Sequence, residues 1–208
     1  GVCYFYLFGH KRFGMPRAKK FDEKEVLQKA MLLFWRKGYH DTSIADLIAF
    51  LGISNASIYH TFGGKRQLYL RAFQWYREIN YEGLKVFLST QEDTITGLRG
   101  VFQKIISDDC QDPDGKGCFI VNTTIELVPM DAELERIIAG HQRKTEALFR
   151  GFIERGQNRG QISADKNSQT LASLLYTLMT GLRVMAKTKP KLQESFATVE
   201  TVLASIAN

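Results

Sequence analysis

Hydrophobic residues recur at intervals of three and four along this 208-residue chain, a spacing that predicts amphipathic helices. One clear example is the stripe formed by Ile44, Leu47, Ile48 and Leu51. The sequence lacks the strict polar–apolar alternation that indicates strands, and none of its four prolines interrupts a helical pattern. We therefore predict an all-α fold with about nine helices.

A tight turn at Gly52 separates this stripe from a second, shorter helix over residues 54–61. Ser43 can cap the first of the two helices, with Asp46 as its capping-box partner. The second helix has one obvious inward residue, Ile58, and its other residues are mostly polar. This arrangement is typical of a helix-turn-helix, whose second helix enters the major groove of DNA.

Positive charge is concentrated in the same part of the chain. Residues 1–80 contain 13 Lys and Arg against 6 Asp and Glu, whereas residues 81–208 contain 15 against 16. The whole formal excess of +6 therefore lies on the side of the helix-turn-helix. Such asymmetry is typical of proteins that bind a polyanion. A solvated basic surface without a nucleic-acid partner is the alternative.

Capping residues predict where several other helices begin. Asp22 can begin the first helix, Thr94 the fifth and Asp131 the seventh. We expect the long fourth helix to begin at Lys65 and to bury one side, formed by Leu68, Ala72, Trp75 and Ile79. The fifth helix has a continuous apolar stripe of Leu98, Val101, Phe102, Ile105 and Ile106.

The last two predicted helices suggest how the chain assembles. Their apolar residues step alternately by four and three positions, which favours helices packed nearly side by side, as in a four-helix bundle. We interpret this bundle as intermolecular and expect a homodimer, because a short DNA-reading helix gains from being presented twice. The expected interface residues are Leu171, Leu175, Leu178, Leu182, Phe196, Val199 and Leu203. An ordinary core within one chain is the alternative.

Several classes of function find no support in the residue types. The three cysteines, Cys3, Cys110 and Cys118, form no CxxC pair or Cys/His cluster, so we predict neither a metal site nor a disulfide framework. No nucleophile motif or acid–base set is recognisable, and we predict neither an enzyme nor a cofactor. Apolar runs fall short of the roughly 18–20 residues that span a bilayer, so we expect no membrane partner. The sparse, odd-numbered cysteines favour a reducing cytoplasm as the location.

The chain divides into three predicted segments. We interpret residues 1–14 as an upstream extension or cloning remnant, because their basic residues follow the apolar stretch instead of preceding it as in a signal peptide. We predict a DNA-binding domain at 15–66 and a ligand-binding and dimerisation domain at 67–208.

A recognisable set of residues occupies positions 38–73, GYHDTSIADLIAFLGISNASIYHTFGGKRQLYLRAF. The set consists of Gly38, Tyr39, Thr42, Ser43, Gly52, Ile53, Ser54, Tyr59, Phe62, Lys65 and Leu68. With these residues the chain resembles the TetR family of bacterial transcriptional repressors, and residues 117–127 are similar to a segment of one subgroup. The resemblance implies an N-terminal three-helix DNA-binding domain followed by a helical bundle that binds a ligand and dimerises. A departure is Ile48, where many members carry a small residue.

The resemblance and the residue chemistry together indicate the DNA contacts. Free N–H groups and the dipole at a helix N-terminus attract phosphate, while bases are contacted from the start of the second helix of the motif. We expect phosphate contacts from Thr42, Ser43, Tyr59, His60 and Lys65, and base contacts from Ser54, Asn55, Ala56 and Ser57. The Asn55 amide suits adenine, since it can pair with two groups of that base. Arg17, Lys19 and Lys20 can enter the adjacent minor groove, or form a solvated tail.

The regulatory half is expected to bind a small molecule between its helices. The predicted apolar wall consists of Phe102, Ile106, Phe149, Phe152, Tyr176 and Met179, and a polar strip on the sixth helix consists of Cys118, Asn122 and Glu126. Alternatively, Glu126 pairs with an arginine such as Arg183 and simply holds the bundle together.

These expectations combine into a ligand-responsive regulator that binds a palindromic operator as a homodimer. Its most natural form is a repressor released by a small, largely apolar effector, although activation stays open because it depends on where the operator lies. One alternative is a DNA-binding regulator without an effector. Another is a thiol-based redox or electrophile sensor acting through Cys118, which opens the sixth helix; an inert buried cysteine is the competing interpretation.

Overall fold

The computed structural model describes residues 21–110, 112, 114–188 and 191–207. These residues form nine α-helices, two turns of 3₁₀ helix and no strand beyond one isolated bridge. The helices are α1 (Glu23–Lys37), α2 (Ile44–Leu51), α3 (Asn55–Phe62), α4 (Lys65–Ser89), α5 (Thr94–Cys110), α6 (Phe119–Glu126), α7 (Ala132–Asn158), α8 (Ser168–Met185) and α9 (Leu192–Ile206). The predicted all-α class is confirmed. Within the described ranges, no helix has the combined length and apolarity needed to cross a membrane.

Two of the predicted helix starts are confirmed by their hydrogen bonds. At the start of α1, the Asp22 carboxylate accepts the backbone N–H of Lys24 at 2.8 Å. At the start of α7, Asp131 accepts two backbone N–H groups of the first turn. Each carboxylate satisfies donors that have no partner within the helix.

The start of α5 differs from the prediction. Asp93 is the capping residue, because its carboxylate accepts the Thr96 N–H at 2.6 Å. Thr94 is only 1% exposed and lies against Gly156, where an added Cβ would come within 2.5 Å of the threonine hydroxyl. Thr94 is therefore a helix–helix packing residue.

The first of two hydrophobic cores joins α1–α4 to α6 and the beginning of α7. At its centre, the ring of Phe119 makes edge contacts with Tyr69, Phe73 and Tyr76, with centroids 5.4–5.6 Å apart. Trp35 of α1 contacts Tyr76 at 4.9 Å. Because Phe119 belongs to α6, a helix of the predicted ligand-binding segment is part of the core that also contains α1–α4.

The second core is built from α5, α7, α8 and α9, with the end of α4. In it, α8 packs on α7 and α9 packs on α5. The predicted stripe of α5 is confirmed, since all five of its residues are buried.

The buried side of α4 differs from the expected one at its far end. Leu68 and Ala72 are fully buried as predicted, but Trp75 is only half-buried and Ile79 is 52% exposed. The reason is that α4 leaves the first core after Tyr76 and then runs beside an open cavity. The helix therefore connects the two halves of the molecule.

The predicted dimer interface on α8 and α9 requires a correction. Leu175, Val199 and Leu203 are at most 1% exposed and lie in the second core of their own chain. Side chains without accessible surface cannot contact a second copy, so these three residues belong to the intrachain alternative. The other four predicted positions, Leu171, Leu178, Leu182 and Phe196, are half-buried at the edge of that core.

Candidate DNA-binding site and its regulatory contacts

The turn between α2 and α3 has the geometry of a helix-turn-helix. Gly52 ends α2 with φ +69°, a left-handed conformation that suits glycine. The Ser54 hydroxyl then caps α3 by accepting the backbone N–H of Ser57 at 3.1 Å. Ile58 is fully buried, as predicted, and anchors α3 to the core. These contacts leave the opposite face of α3 directed to solvent.

The exposed face of α3 carries the residues that were expected to contact bases. Asn55 and Ala56 are exposed, so their side chains are available to a major groove. The hydroxyls of Ser54 and Ser57 lie 3.0 Å apart and take part in the cap. Asn55 is therefore the amide that this surface offers for reading a base.

Tyr59 lies beside this face and is 56% exposed. Its ring covers Gly64, where an added Cβ would be 3.1 Å from the ring carbon Cε1. The ring thus packs on the protein while the side chain stays accessible, and the neighbouring His60 is exposed as well. Both positions are compatible with the expected phosphate contacts.

Lys65 begins α4 next to the same surface. Its Nζ lies 4.2 Å from the centroid of the Tyr39 ring, and partial burial lowers the pKa of the ammonium. The carboxylates of Glu126 and Asp46 act on this pKa in the opposite direction. The ammonium therefore lies over an aromatic ring, in the electrostatic field of two carboxylates.

Thr42 was expected to contact a phosphate, and this prediction is wrong for its side chain. The residue is fully buried, and its hydroxyl donates to the Gly38 carbonyl at 2.6 Å. It therefore shapes the loop between α1 and α2 instead of facing DNA. The adjacent Ser43 is exposed and stays a candidate for a phosphate contact.

The start of α2 already carries a negative charge. Asp46 forms the predicted capping box with Ser43, accepting the Ser43 N–H at 2.8 Å and its hydroxyl at 2.7 Å. These bonds, together with the Lys37 ammonium at 2.9 Å, hold the pKa of the carboxyl well below its usual range. A phosphate near Ser43 would therefore lie close to an ionised carboxylate.

The basic residues differ in how far they are already neutralised. In α1–α4, six cations form ion pairs with carboxylates: Lys29, Arg36, Lys37, Arg66, Arg71 and Lys85. The predicted minor-groove residues Arg17, Lys19 and Lys20 lie outside the described residues, within a stretch of twenty that contains five of the 13 cations counted above. Much of the positive excess thus belongs to the segment preceding α1.

The carboxylate of Glu126, at the end of α6, contacts the loop between α1 and α2. Oε2 accepts the backbone N–H of Tyr39 at 3.1 Å, and Oε1 accepts that of His40 at 2.8 Å. The prediction that Glu126 contacts a ligand is therefore wrong. The alternative prediction, that its main contact is an arginine, is also wrong, because both carboxylate oxygens accept backbone N–H groups. The reason is that α6 packs into the first core, which directs its last turn toward the DNA-binding half.

Other polar contacts also connect the segment around α6 to α1 and α4. The indole N–H of Trp35 donates to the Gly117 carbonyl at 2.8 Å. The Tyr69 and Thr123 hydroxyls lie 2.8 Å apart inside the core. Arg66, at the start of α4, pairs with Asp131 at 2.7 Å. These contacts bring together residues distant in sequence, which is why the periodic pattern did not indicate them.

An open cavity of about 700 Å³ lies among α4, α5, α7 and α8, with Ile120 of α6 in its wall. Its apolar lining consists of Ile79, Leu84, Val86, Phe87, Val101, Ile105, Ile120 and Met179. Its polar lining includes Asn80, Lys104, Asp108, His141, Thr145 and Arg183. The cavity thus combines an apolar wall with a polar side.

Of the nine predicted ligand contacts, Met179 lines this cavity. Four predicted wall residues, Phe102, Ile106, Phe149 and Phe152, are buried in the second core instead. On α6, Cys118 is 2% exposed beside the Tyr76 hydroxyl, and the Asn122 amide donates to the Lys116 carbonyl at 2.8 Å. Tyr176 is half-buried at the edge of the second core. Apart from Met179, none of these residues is part of the cavity wall.

His141 is a titratable group of the cavity wall with a strongly perturbed pKa. Burial lowers the pKa of its imidazole to about 4, and the nearby charges of Arg77, Arg183 and Lys144 act in the same direction. The side chain is therefore neutral at pH 7. A neutral imidazole both donates and accepts a hydrogen bond.

Comparison with known proteins assigns the chain to a family. The family model described as "Bacterial regulatory proteins, tetR family" matches residues 26–72, and the model "Tetracyclin repressor-like, C-terminal domain" matches residues 95–200. The uncharacterised regulator YezE of Bacillus subtilis is 33% identical over 83% of this chain and 90% of its own length. The chain belongs to the TetR family.

Further relatives agree with this assignment along most of the chain. The transcriptional repressor ComR of Escherichia coli is 26% identical, covering 90% of each protein. A solved structure of a cysteine mutant of the TetR family regulator CifR, in complex with a 26 bp operator DNA, superposes with a TM-score of 0.81. It is 27% identical and covers 93% of this chain and all of that one. TetR-family membership is shown for both halves.

Proposed function

We propose that this TetR-family chain is a ligand-responsive repressor, which binds a palindromic operator as a homodimer and is released by a small molecule. The exposed face of α3 supports DNA reading, and the cavity among α4, α5, α7 and α8 supports ligand binding. ComR is described as a repressor, and CifR has been crystallised with its operator. The proposed function places the protein in the bacterial cytoplasm, where DNA is accessible.

In this proposal α3 lies in the major groove. Asn55 contacts an adenine, while Ser54, Ala56 and Ser57 contact neighbouring base edges. Tyr59 and Lys65 contact the phosphate backbone on either side of the groove. Residues 17–20 contact the adjacent minor groove or its phosphates and supply much of the electrostatic attraction.

An apolar strip on α8 supports the proposed homodimer. Leu174 is 40% exposed and Met185 is 53% exposed, and Leu178 and Gly181 lie between them on the same face. Exposed apolar surface of this kind marks an interface in many proteins. A two-fold axis beside this strip would place two copies of α3 on symmetric half-sites.

The cavity is the observation that carries the regulatory part of the proposal. Its volume of about 700 Å³ suits a drug-sized ligand, and apolar side chains form much of its wall. A mostly apolar ligand with one or two hydrogen-bonding groups would match this wall, with His141 and Thr145 as its polar contacts. The first part of α4 belongs to the first core, and the later part of the same helix lines the cavity. A ligand in the cavity can therefore act on the DNA-binding surface through α4. A fully packed C-terminal core would instead have favoured a regulator without an effector.

The experiment begins with an operator selected from random DNA by the purified protein. A library of apolar and amphipathic compounds is then screened for release of the labelled operator. We expect at least one compound class to release the DNA, and the Met179→Trp variant, which fills the cavity, to bind DNA without responding. Release that persists unchanged in Met179→Trp and in a second filling variant, Val101→Trp, would contradict the cavity as the ligand site.

A thiol sensor acting through Cys118 is the second candidate. The residue caps the N-terminus of α6, a position that favours reactive thiolates in general. Its side chain is buried, however, so a reagent reaches it only after α6 has moved. Alkylation by iodoacetamide of the free protein, followed by operator binding, distinguishes the two candidates. If Cys118 is a sensor, alkylation abolishes operator binding by the unmodified chain but not by Cys118→Ser. If Cys118 is an inert buried thiol, it stays unmodified.

A further inference from the structure

We propose that Glu126 is a positioning residue for DNA binding: its carboxylate holds the loop between α1 and α2 in the shape that presents the helix-turn-helix. This inference rests on the proposed function, because it concerns how the DNA-binding surface is kept in place. It adds a function to one of the contacts that join the two halves, besides the continuous helix α4 and the other contacts of α6. The residue acts through the backbone of the loop and does not touch DNA itself.

The loop needs an external partner for its backbone. Gly38 ends α1 with φ +85°, and the next two N–H groups point away from the helices toward α6. Both are satisfied by the two oxygens of Glu126, which makes each bond charge-assisted and fixes the direction of the loop. An added Cβ at Gly38 would be 2.9 Å from Oε2, so the carboxylate occupies space that only glycine leaves open.

The held loop leads directly to the DNA-binding surface. It ends at Ser43, which caps α2, and the Thr42 hydroxyl inside it donates back to Gly38. The ring of Tyr39 lies beneath the ammonium of Lys65 at 4.2 Å. A loop released from Glu126 would therefore disturb both the start of α2 and the position of Lys65.

The other end of α6 reaches the cavity. Ile120 lines the cavity and lies six residues before Glu126, a rise of about 9 Å along one short helix. Phe119 fixes the same helix in the aromatic centre of the first core. A ligand that displaces Ile120 would move the last turn of α6, and the two hydrogen bonds of Glu126 would carry that movement to the loop. Rigid elements with defined contacts at both ends are suited to such coupling.

The test compares three variants with the unmodified chain on a selected operator and on unrelated DNA. Glu126→Ala removes both hydrogen bonds, and Glu126→Gln keeps one acceptor oxygen while removing the charge. The matched control is Thr123→Val, which removes the contact between α6 and Tyr69 without touching the loop. Affinities are measured well below the melting temperature of every variant, so that a loss of stability alone does not change them.

We expect Glu126→Ala to bind the operator about tenfold more weakly, within the usual range of coupling between sites, and Glu126→Gln about threefold. Thr123→Val should bind within about twofold of the unmodified chain, even if its melting temperature falls. Hydrogen exchange at the Tyr39 and His40 amides should accelerate in Glu126→Ala and stay slow in Thr123→Val.

Tighter DNA binding by the Glu126 variants, instead of weaker binding, would overturn the proposal. If Glu126 acted only through its charge near Lys65, removing that charge would strengthen attraction to phosphate, and both Glu126 variants would bind all DNA more tightly. Unchanged operator affinity together with slow exchange at Tyr39 and His40 would also overturn it, while leaving the proposed function intact. Failure of the unmodified chain to select any DNA would overturn both.

Discussion

The DNA-binding half and the regulatory half differ in how their interiors are filled. Around Phe119, aromatic rings from three helices contact one another and fill the first core. The second core includes the end of α4, but an open cavity of about 700 Å³ lies beside it, among α4, α5, α7 and α8. Dense packing fixes the shape of a surface that has to match DNA, whereas the open space is the feature on which the proposed ligand binding depends. The difference assigns a rigid role to one region and an adaptable role to the other.

The largest expected effect comes from removing the ring at the junction of the two regions. Phe119→Ala should lower the free energy of unfolding by about 3–5 kcal/mol, because it empties the centre of the first core and detaches α6. Denaturant unfolding measures this change. The control Met130→Ala, at a position 93% exposed, should change stability by less than about 0.5 kcal/mol. Similar losses in both variants would show that the first core is not densely packed.

The second prediction concerns a buried group in the wall of the cavity. The pKa of His141 falls from 6.5 to about 4 on folding, so the unfolded chain binds a proton more readily. The free energy of unfolding is therefore highest above pH 6.5, where the imidazole is neutral in both states. It decreases by about 3 kcal/mol as the pH falls from 6.5 toward 4, because the unfolded chain binds a proton that the folded chain does not. Subtracting the unfolding free energies of His141→Gln, which cannot titrate, isolates this contribution. Parallel pH profiles for the two proteins would contradict the assigned environment.

The third prediction tests the exposed face of α3. Asn55→Ala should lose about 1–3 kcal/mol of binding to the selected operator and relax the preference at one base pair. Competition assays with operators changed at single positions measure both effects. Gln28→Ala, at an exposed position on α1, is the control and should leave the preference unchanged. A uniform loss across all operators would assign Asn55 to the phosphate backbone instead.

The smallest expected effect concerns a single phosphate contact. Lys65→Ala should weaken binding to every DNA sequence and reduce the slope of log affinity against log salt by about 0.9. The slope is obtained from titrations at several salt concentrations. Lys104→Ala removes a cation that is paired with Asp108 at the cavity, and it should leave the slope unaltered. Equal slopes for all three proteins would exclude Lys65 as a phosphate contact.

The DNA-binding half could be predicted from the sequence because its signals are local. The capping box of Ser43 and Asp46, the turn at Gly52 and the buried Ile58 all depend on neighbours within a few residues. Thr42 was misassigned because its burial depends on how the loop folds back on Gly38. The resemblance to the TetR family, since confirmed, rested on the same stretch of sequence and included Thr42, Ser43 and Gly52.

The cavity could not be predicted because it depends on which side of a wide apolar stripe faces inward. Phe102 and Ile106 were expected in its wall, but their neighbours Val101 and Ile105 line it, a rotation of about 100° on the helix. Periodicity shows that α5 is buried and leaves open what each buried residue contacts. The bond between Glu126 and Tyr39 joins residues 87 positions apart, and no local pattern contains it.

The same ambiguity explains the outcome for α8 and α9. Alternating steps of four and three describe a buried face equally well whether the partner is the same chain or a second copy. Leu175 faces its own core, whereas Leu174, one position earlier, is 40% exposed. The proposed homodimer therefore depends on the outer strip around Leu174 and Met185.

The stoichiometry and symmetry of the selected DNA test the central claim most directly. The protein is mixed with random duplexes, the bound fraction is sequenced, and the mass of the complex on the enriched duplex is measured. The account predicts an inverted repeat with half-sites about one helical turn apart and an even number of chains on each duplex. An enriched sequence without two-fold symmetry, bound by a single chain, would contradict it.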